Sequence, residues 1–420
     1  MRLHKTIVLN YLSYGLSVIT NIILFSFLIR KIGIYEAGFF SFLYSLKSIL
    51  DIGMGWLSGS VIKKLIDDPA SSKETNFSSL LLNAGYGFCC VIGIDIYSFF
   101  ANSVASHKIV ILLFSFYVLF SFLFIPFREY LLSKFRQDVV VSIELLQNSM
   151  FFLFIMLDIF IFHSSSLISV FFLLAVSYFF RLIVVIFVGL RAGFMTSFSH
   201  YSLSNLRFVF MKSGWKYFIN GVSTILFFQI DVILIAKFYG MKNVALYTII
   251  WKIPNTVMIL FSQYIDPHKL FFKKMLLAER HTVWLERILM LTGISFVSGM
   301  LFLVLYSFMG SYILSLWLGG KVVPSLPGMY IMPSIAMIML LFIRIYSSFV
   351  YYADGLLSIA LVMFVLLITK VGFIILLFDK FGVLSSVYAI VFSGFPALFF
   401  ALSQVRIKYN NCMVSSMALN

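Results

Sequence analysis

The chain has 420 residues, 62% of them hydrophobic and 11% charged, with a formal net charge of +15 and a mean hydropathy of +1.04. A soluble domain carries about a quarter charged residues, so the composition excludes a water-soluble globular protein. A disulfide scaffold is excluded too: of three cysteines, Cys89 and Cys90 are adjacent in an apolar run and Cys412 lies near the end.

A helix crosses the hydrocarbon core with about 20 predominantly apolar residues. Twelve such runs occur in order, at 10–29, 38–62, 77–100, 109–132, 139–162, 167–190, 214–236, 243–265, 288–308, 328–351, 357–378 and 383–405. They lack the strict alternation of outer-membrane strands, which predicts an all-α integral membrane protein. The first run follows a basic start, Met1 to Lys5, but is too long for a signal peptide and has no small-residue cleavage site, so it is read as an uncleaved first helix.

The second run carries Lys47 and Asp51 four residues apart on one helix face, where they can pair. Gly53, Gly55 and Gly59 follow, and the last two have a spacing that permits close helix contact. Asp95 and Glu144 lie nearer the ends of the third and fifth runs. Arg181 sits near the middle of the sixth, with no acid within one turn. A guanidinium holds its proton and forms fork-like bonds to phosphate oxygens, so a role in recognising an anionic head group is expected. The alternative is a structural contact, with an aromatic ring or with Glu144 or Asp231.

The polar stretch 191–213 separates six runs from six. Lys216 then lies close enough to the inner surface to snorkel. Asp231 is deep in the seventh run, and Lys252 in the eighth precedes Pro254, whose ring frees a backbone carbonyl and bends a helix. A second polar stretch spans 266–287, and Arg344 and Lys370 lie inside the tenth and eleventh runs. A charge at bilayer depth costs about 2.5–3.5 kcal/mol on insertion scales and normally faces a bundle interior or wet cavity. Lys47, Arg181, Lys252, Arg344 and Lys370 are therefore cavity candidates for an anionic cargo. Asp51, Asp231 and Glu144 are candidates for ion coupling, to a proton or sodium gradient, or for neutralising those cations.

Eighteen of the 31 basic residues fall on segments that place both termini inside, seven on the opposite loops and six in the runs. That bias predicts cytoplasmic termini. It accounts for the high net charge without a nucleic-acid partner, and basic inner segments suit anionic lipid headgroups. The histidines, among them His163, His200 and His268, form no cluster, so no metal site is expected, and no HExxH, P-loop or GxSxG motif occurs.

The halves echo one another. Leu28-Ile-Arg-Lys-Ile-Gly33 is matched by Ile235-Ala-Lys-Phe-Tyr-Gly240 at an offset of 207 residues, and Ala37-Gly-Phe-Phe40 by Val244-Ala-Leu-Tyr247. Six runs per half is an even number, so the repeats are parallel, with a path expected between them. The expected division is a first lobe at 1–190, a linker at 191–213, a second lobe at 214–405 and a tail at 406–420.

Four places carry a family resemblance. They are Asn10-Tyr-Leu-Ser, Arg30-Lys-Ile-Gly-Ile-Tyr-Glu-Ala-Gly-Phe-Phe40, Asp51-Ile-Gly53, and Gln229-Ile-Asp231 through Gly240, Tyr247 and Lys252. With twelve runs rather than fourteen, the chain resembles an O-antigen flippase of the multidrug/oligosaccharidyl-lipid/polysaccharide exporter superfamily. That resemblance implies two six-helix lobes around a central cavity, no enzymatic activity and no cofactor. It implies alternating-access transport of polyprenyl-pyrophosphate-linked repeat units across a bacterial inner membrane, beside other glycan-assembly membrane proteins. Two alternatives stand: a cation-coupled multidrug exporter of the same fold, whose cargo is usually cationic, and a membrane glycan polymerase. The polymerase would be expected to carry a large outer loop, whereas the longest here, 309–327, is short and holds one basic residue, Lys321.

Overall fold

The computed structural model describes residues 2–100, 107–162, 166–195, 215–265, 281–320, 326, 328–354 and 356–418. Every regular element among them is helical. In lipid every backbone polar group needs an internal partner, and a helix supplies it within one segment. The chain divides into two compact units, Met1–Phe218 and Ile219–Asn420.

The first unit holds α1 (Arg2–Phe27), α2 (Ile34–Leu50), α3 (Ile52–Asp67), α4 (Ser72–Phe100), α5 (Lys108–Ser133), α6 (Gln137–Leu157) and α7 (Leu167–Arg191). α5 is its hub, packing against α3, α4 and α7, while α1 packs on α6. At one end Phe127, Tyr130 and Leu131 of α5 close with Val140 and Ile143 of α6, Leu182 and Val185 of α7, and Phe194 into an apolar cluster. Gly189 lets Phe127 approach α7 closely, since a Cβ there would lie 2.9 Å from the Phe127 ring. Phe88, Ile92, Ile96, Phe172 and Phe187 point outward and are exposed, as lipid-facing side chains of a span must be.

The second unit holds α8 (Trp215–Tyr239), α9 (Met241–Ile265), α10 (His281–Leu318), α11 (Ile331–Asp354), α12 (Leu356–Phe381) and α13 (Ser385–Ala418). α11 is packed by α9, α10, α12 and α13. Gly299 and Gly310 give α10 its close approach, because a Cβ would run into Ile338 at one and the Tyr330 ring at the other. The glycines expected to do this in the first unit, Gly55 and Gly59, lie outside the described side chains.

Among the described residues twelve helical rods correspond to the twelve runs, with three departures. The second rod is broken at Asp51 into α2 and α3. The ninth, α10, is 38 residues long, about 57 Å at the helical rise against a hydrocarbon core of about 30 Å. It therefore includes 309–318, which the sequence reading assigned to the outer loop 309–327; Gly310 is a packing residue within the helix, against the Tyr330 ring. Third, nine described segments are long and apolar enough to cross a membrane; the last, Ala360–Ser403, runs through a 3-10 turn and covers two rods, and the apolar part of α11 is shorter, Ile331–Ser347.

The internal echo survives at the level of hydrogen bonds. Gly33 N donates to Leu28 O (2.8 Å) and Ala37 N to Gly33 O (3.1 Å). Gly240 N donates to Ile235 O (3.1 Å) and Val244 N to Gly240 O (3.3 Å), the same two bonds at the same offset. Both glycines have positive φ, 135° and 80°, which side chains rarely adopt. Each turn ends one rod and starts the next.

Candidate functional site

Buried charges need partners, and the first unit supplies them unevenly. Lys47 lies in the last turn of α2, where a cation complements the helix dipole. Its Nζ is 2.6 Å from Asp51 Oδ2 at the break, so the i,i+4 pairing expected from sequence is made; the side chains are 17% and 34% exposed. Lys47 Nζ also stands 5.7 Å from the centre of the Tyr117 ring. Tyr117 meets Tyr178 edge to face at 4.5 Å. One turn further along α7, the Arg181 guanidinium is held between Tyr178, at 4.1 Å, and Phe124 of α5, at 4.0 Å. Two cations thus sit at the ends of one chain of rings.

Arg181 Nε is buried without a hydrogen-bond partner, and no carboxylate of a described residue lies within ion-pair distance of the guanidinium. Both acids considered as its partner are engaged elsewhere. Glu144 is 3.6 Å from Arg128, and Asp231 belongs to the second unit. Of the sequence alternatives for Arg181, the ring contact is the one formed. A stacked guanidinium keeps its N–H edge available for an anion's oxygens.

A small polar cavity of about 30 Å³ adjoins this chain of rings. Ser17, Thr20 and Asn21 of α1, Tyr44 of α2, Gln147 and Asn148 of α6 and Tyr178 of α7 line it, with Phe40, Phe151 and Leu174. Asn148 Nδ2 is fixed by the Ser13 carbonyl (3.2 Å) and hydroxyl (3.1 Å). Tyr178 is common to the cavity and the Arg181 stack, so hydroxyl and amide groups, aromatic faces and one unpaired cation fall in one region of the first unit.

The second unit treats its charges differently. Lys370 Nζ donates to Asp231 Oδ2 (2.7 Å) and to the Phe227 carbonyl (2.5 Å), and it lies over the Phe227 ring. Tyr247 Oη donates to the same Asp231 oxygen at 2.5 Å. Asp231 and Lys370 are 0% and 1% exposed. Asp231, read from sequence as a coupling acid or a neutralising partner, and Lys370, read as a cavity cation, pair with each other across α8 and α12. Lys252 is half-buried on α9 and makes no hydrogen bond or ion pair with a described residue, and Arg344 is half-buried on α11. Lys216, His163, His200 and His268 lie outside the residues whose side chains are described. Among the described residues no three His, Cys, Asp or Glu side chains group as a metal site.

Sequence reading passed over Glu129, which is fully buried on α5. It follows Arg128 at the end of the apolar run 109–132. The signal that finds it is on the neighbouring helix: Thr75, Ser79 and Asn83 of α4, polar residues every fourth position, which face one side.

No family model matches the chain, and no curated protein matches it. Solved structures do. A multidrug resistance MATE family transporter of the MOP superfamily in its inward-facing conformation aligns with a TM-score of 0.77 at 11% identity, over 97% of this chain and 96% of that one. An outward-facing transporter of the same description gives 0.65 at 14% identity, over 97% and 96%. A MOP superfamily transporter from Pyrococcus furiosus, described as having a binding pocket of reverse polarity that suggests a different function, gives 0.66 at 11%, over 97% and 95%. At such identities the likeness establishes a MATE-like fold.

Proposed function

We propose that this chain is a multi-pass membrane exporter of amphipathic cargo. The carrying observation is the nearly full-length likeness to transporters of the MATE-like fold. Those neighbours are described as multidrug resistance transporters, which supports multidrug export more directly than glycan flipping.

One observation favours the second reading, flipping of a polyprenyl-pyrophosphate-linked oligosaccharide. A site for cationic drugs needs free carboxylates. Three of the acids inside the apolar runs are each set against a base, Asp51 on Lys47, Glu144 on Arg128 and Asp231 on Lys370, while Asp95, Glu129 and Asp158 accept hydrogen bonds from serine hydroxyls. Arg181 and Lys252, one in each unit, have no such acid among the described residues. That balance suits a phosphate-bearing cargo. The experiment that separates the readings deletes the gene and restores it, scoring surface glycan and efflux of a cationic dye in the same cells. Restored efflux with unchanged glycan supports multidrug export. Restored glycan with unchanged efflux supports flipping, and no change in either removes both.

The membrane is proposed to be the bacterial inner membrane, with both termini cytoplasmic, on the 18-to-7 bias of basic residues outside the runs. Reporters fused at 30–37 and 237–243 should read as outside, and an inside reading at both would reverse the orientation. Anionic headgroups are the expected partners of the basic inner face.

A further inference from the structure

We propose that the second rod is a hinge, held at its break by the Tyr86 hydroxyl. α2 ends at Leu50 and α3 begins at Ile52. In an unbroken helix the Leu50 carbonyl would accept the amide four residues on. Here it accepts the hydroxyl of Tyr86, from α4, at 2.9 Å. The second run, 38–62, holds no proline to interrupt it. A side chain inserted into the helical ladder is another of the few causes of a sharp break. The hydroxyl is aimed from a fixed position. The Tyr86 ring meets Phe122 of α5 edge to face at 5.3 Å. Gly87, next in the chain, lets α4 close on α5, since a Cβ there would lie 3.3 Å from the Leu119 and Phe122 side chains. The break is therefore placed from the hub of the unit rather than by the rod itself.

Charge supports the same break. Lys47 lies in the last turn of α2 and Asp51 stands before the first turn of α3. Each complements the helix end it adjoins. Gly53 and Gly55 follow, and glycine resists an interruption of a helix least. A hinge also needs two arrangements that satisfy its polar groups, because an orphaned backbone carbonyl in lipid is costly. Both arrangements are at hand. With the rod broken, the Leu50 carbonyl holds the Tyr86 hydroxyl. With the rod continuous, that carbonyl takes the Met54 amide, and the hydroxyl keeps Cys90, one turn on in α4, whose side chain it hydrogen-bonds. Carbonyl and hydroxyl each have a partner either way. Exchange between the two swings α3 against α2 beside Lys47, where the chain of rings leading to Arg181 begins. The hinge lies inside the first unit and does not depend on the identity of the cargo.

The test is the distance between spin labels on cysteines placed at Tyr35 in α2 and Asp67 in α3, both exposed. It is measured by double electron–electron resonance on the full-length protein in nanodiscs. Cys89→Ala and Cys412→Ala remove competing thiols, and Cys90→Ser keeps a hydrogen-bonding group beside Tyr86. At the helical rise a continuous helix would place the two sites about 48 Å apart, and the parent protein should show a shorter distance. Tyr86→Phe keeps the ring on Phe122 and removes the hydroxyl, so it should shift the distribution toward the longer distance. Gly53→Ala favours a continuous helix. It should shift the distribution the same way, and it serves if the phenylalanine variant fails to fold. Tyr130→Phe removes a hydroxyl that donates to the Ala192 carbonyl at 3.0 Å, away from the break, and should leave the distribution as in the parent. A parent distance already that of the continuous helix overturns the proposal. So does a distribution unchanged in both Tyr86→Phe and Gly53→Ala, or an equal shift in Tyr130→Phe.

Discussion

Asp231→Ala should destabilise the protein by about 3–5 kcal/mol, and Lys370→Ala by a similar amount. The two groups are 2.7 Å apart and almost wholly enclosed. Removing either leaves the other charged, buried and without its partner, which costs more than the pair contributes. The asymmetry is the informative part. Replacing both by apolar residues of similar volume, Asp231→Leu with Lys370→Met, should recover most of the loss, since an apolar pair of matched shape is often neutral or better. Tyr247 sets a limit on the recovery, because its hydroxyl donates to Asp231 and would lose a charged acceptor worth about 1.5–3 kcal/mol. Adding Tyr247→Phe should remove that residue of the loss. The measurement is denaturant or thermal unfolding of the purified variants, with membrane abundance as a cellular check. Single alanine variants within about 1 kcal/mol of the parent protein would show that neither charge depends on the other, against the geometry.

The pairing across α8 and α12 also marks where sequence reading stopped. Asp231 and Lys370 are 139 residues apart, and nothing in periodicity or spacing joins them. The Lys47–Asp51 pair was legible because a helix fixes the i,i+4 geometry in advance. Gly33 and Gly240 were legible because a positive φ restricts the residue type at a turn. Arg181 was legible as a charge out of place, yet its surroundings were not: the rings that hold it come from its own helix at Tyr178 and from α5 at Phe124. Glu129 was missed for the opposite reason. A carboxylate beside an arginine reads as neutralised, and only the packing of α4 on α5 shows that the two side chains part company. The rod count followed from apolar length alone, whereas the break at Asp51 and the continuation through Gly310 depend on what each helix packs against.

Arg181→Ala should reduce transport per molecule by about tenfold or more if the cargo carries a pyrophosphate that this guanidinium binds. A hydrogen bond to a charged group contributes about 1.5–3 kcal/mol, and each 1.4 kcal/mol is a factor of about ten. The guanidinium lies against the Tyr178 and Phe124 rings and has no acid partner among the described residues, so its charge is left for such a bond. The competing role is structural. A cation held against aromatic faces contributes about 0.5–2 kcal/mol to stability, and losing it lowers the amount of folded protein rather than the rate of each molecule. Arg181→Lys separates the two. Lysine keeps the charge but loses the planar fork, so phosphate recognition predicts intermediate transport at near-normal abundance. Arg181→Gln keeps length and hydrogen-bonding capacity without charge, and it should fall with alanine if charge is what the cargo requires. Surface glycan output is measured for each variant and divided by membrane protein level. Per-molecule output in Arg181→Ala equal to that of the parent, with abundance reduced, assigns the residue to packing and removes the support it lends to an anionic cargo. Lys252→Ala, tested in parallel, extends the argument to the second unit, whose half-buried lysine likewise has no acid partner among the described residues. A loss at Arg181 with none at Lys252 would confine the anionic contact to the first unit.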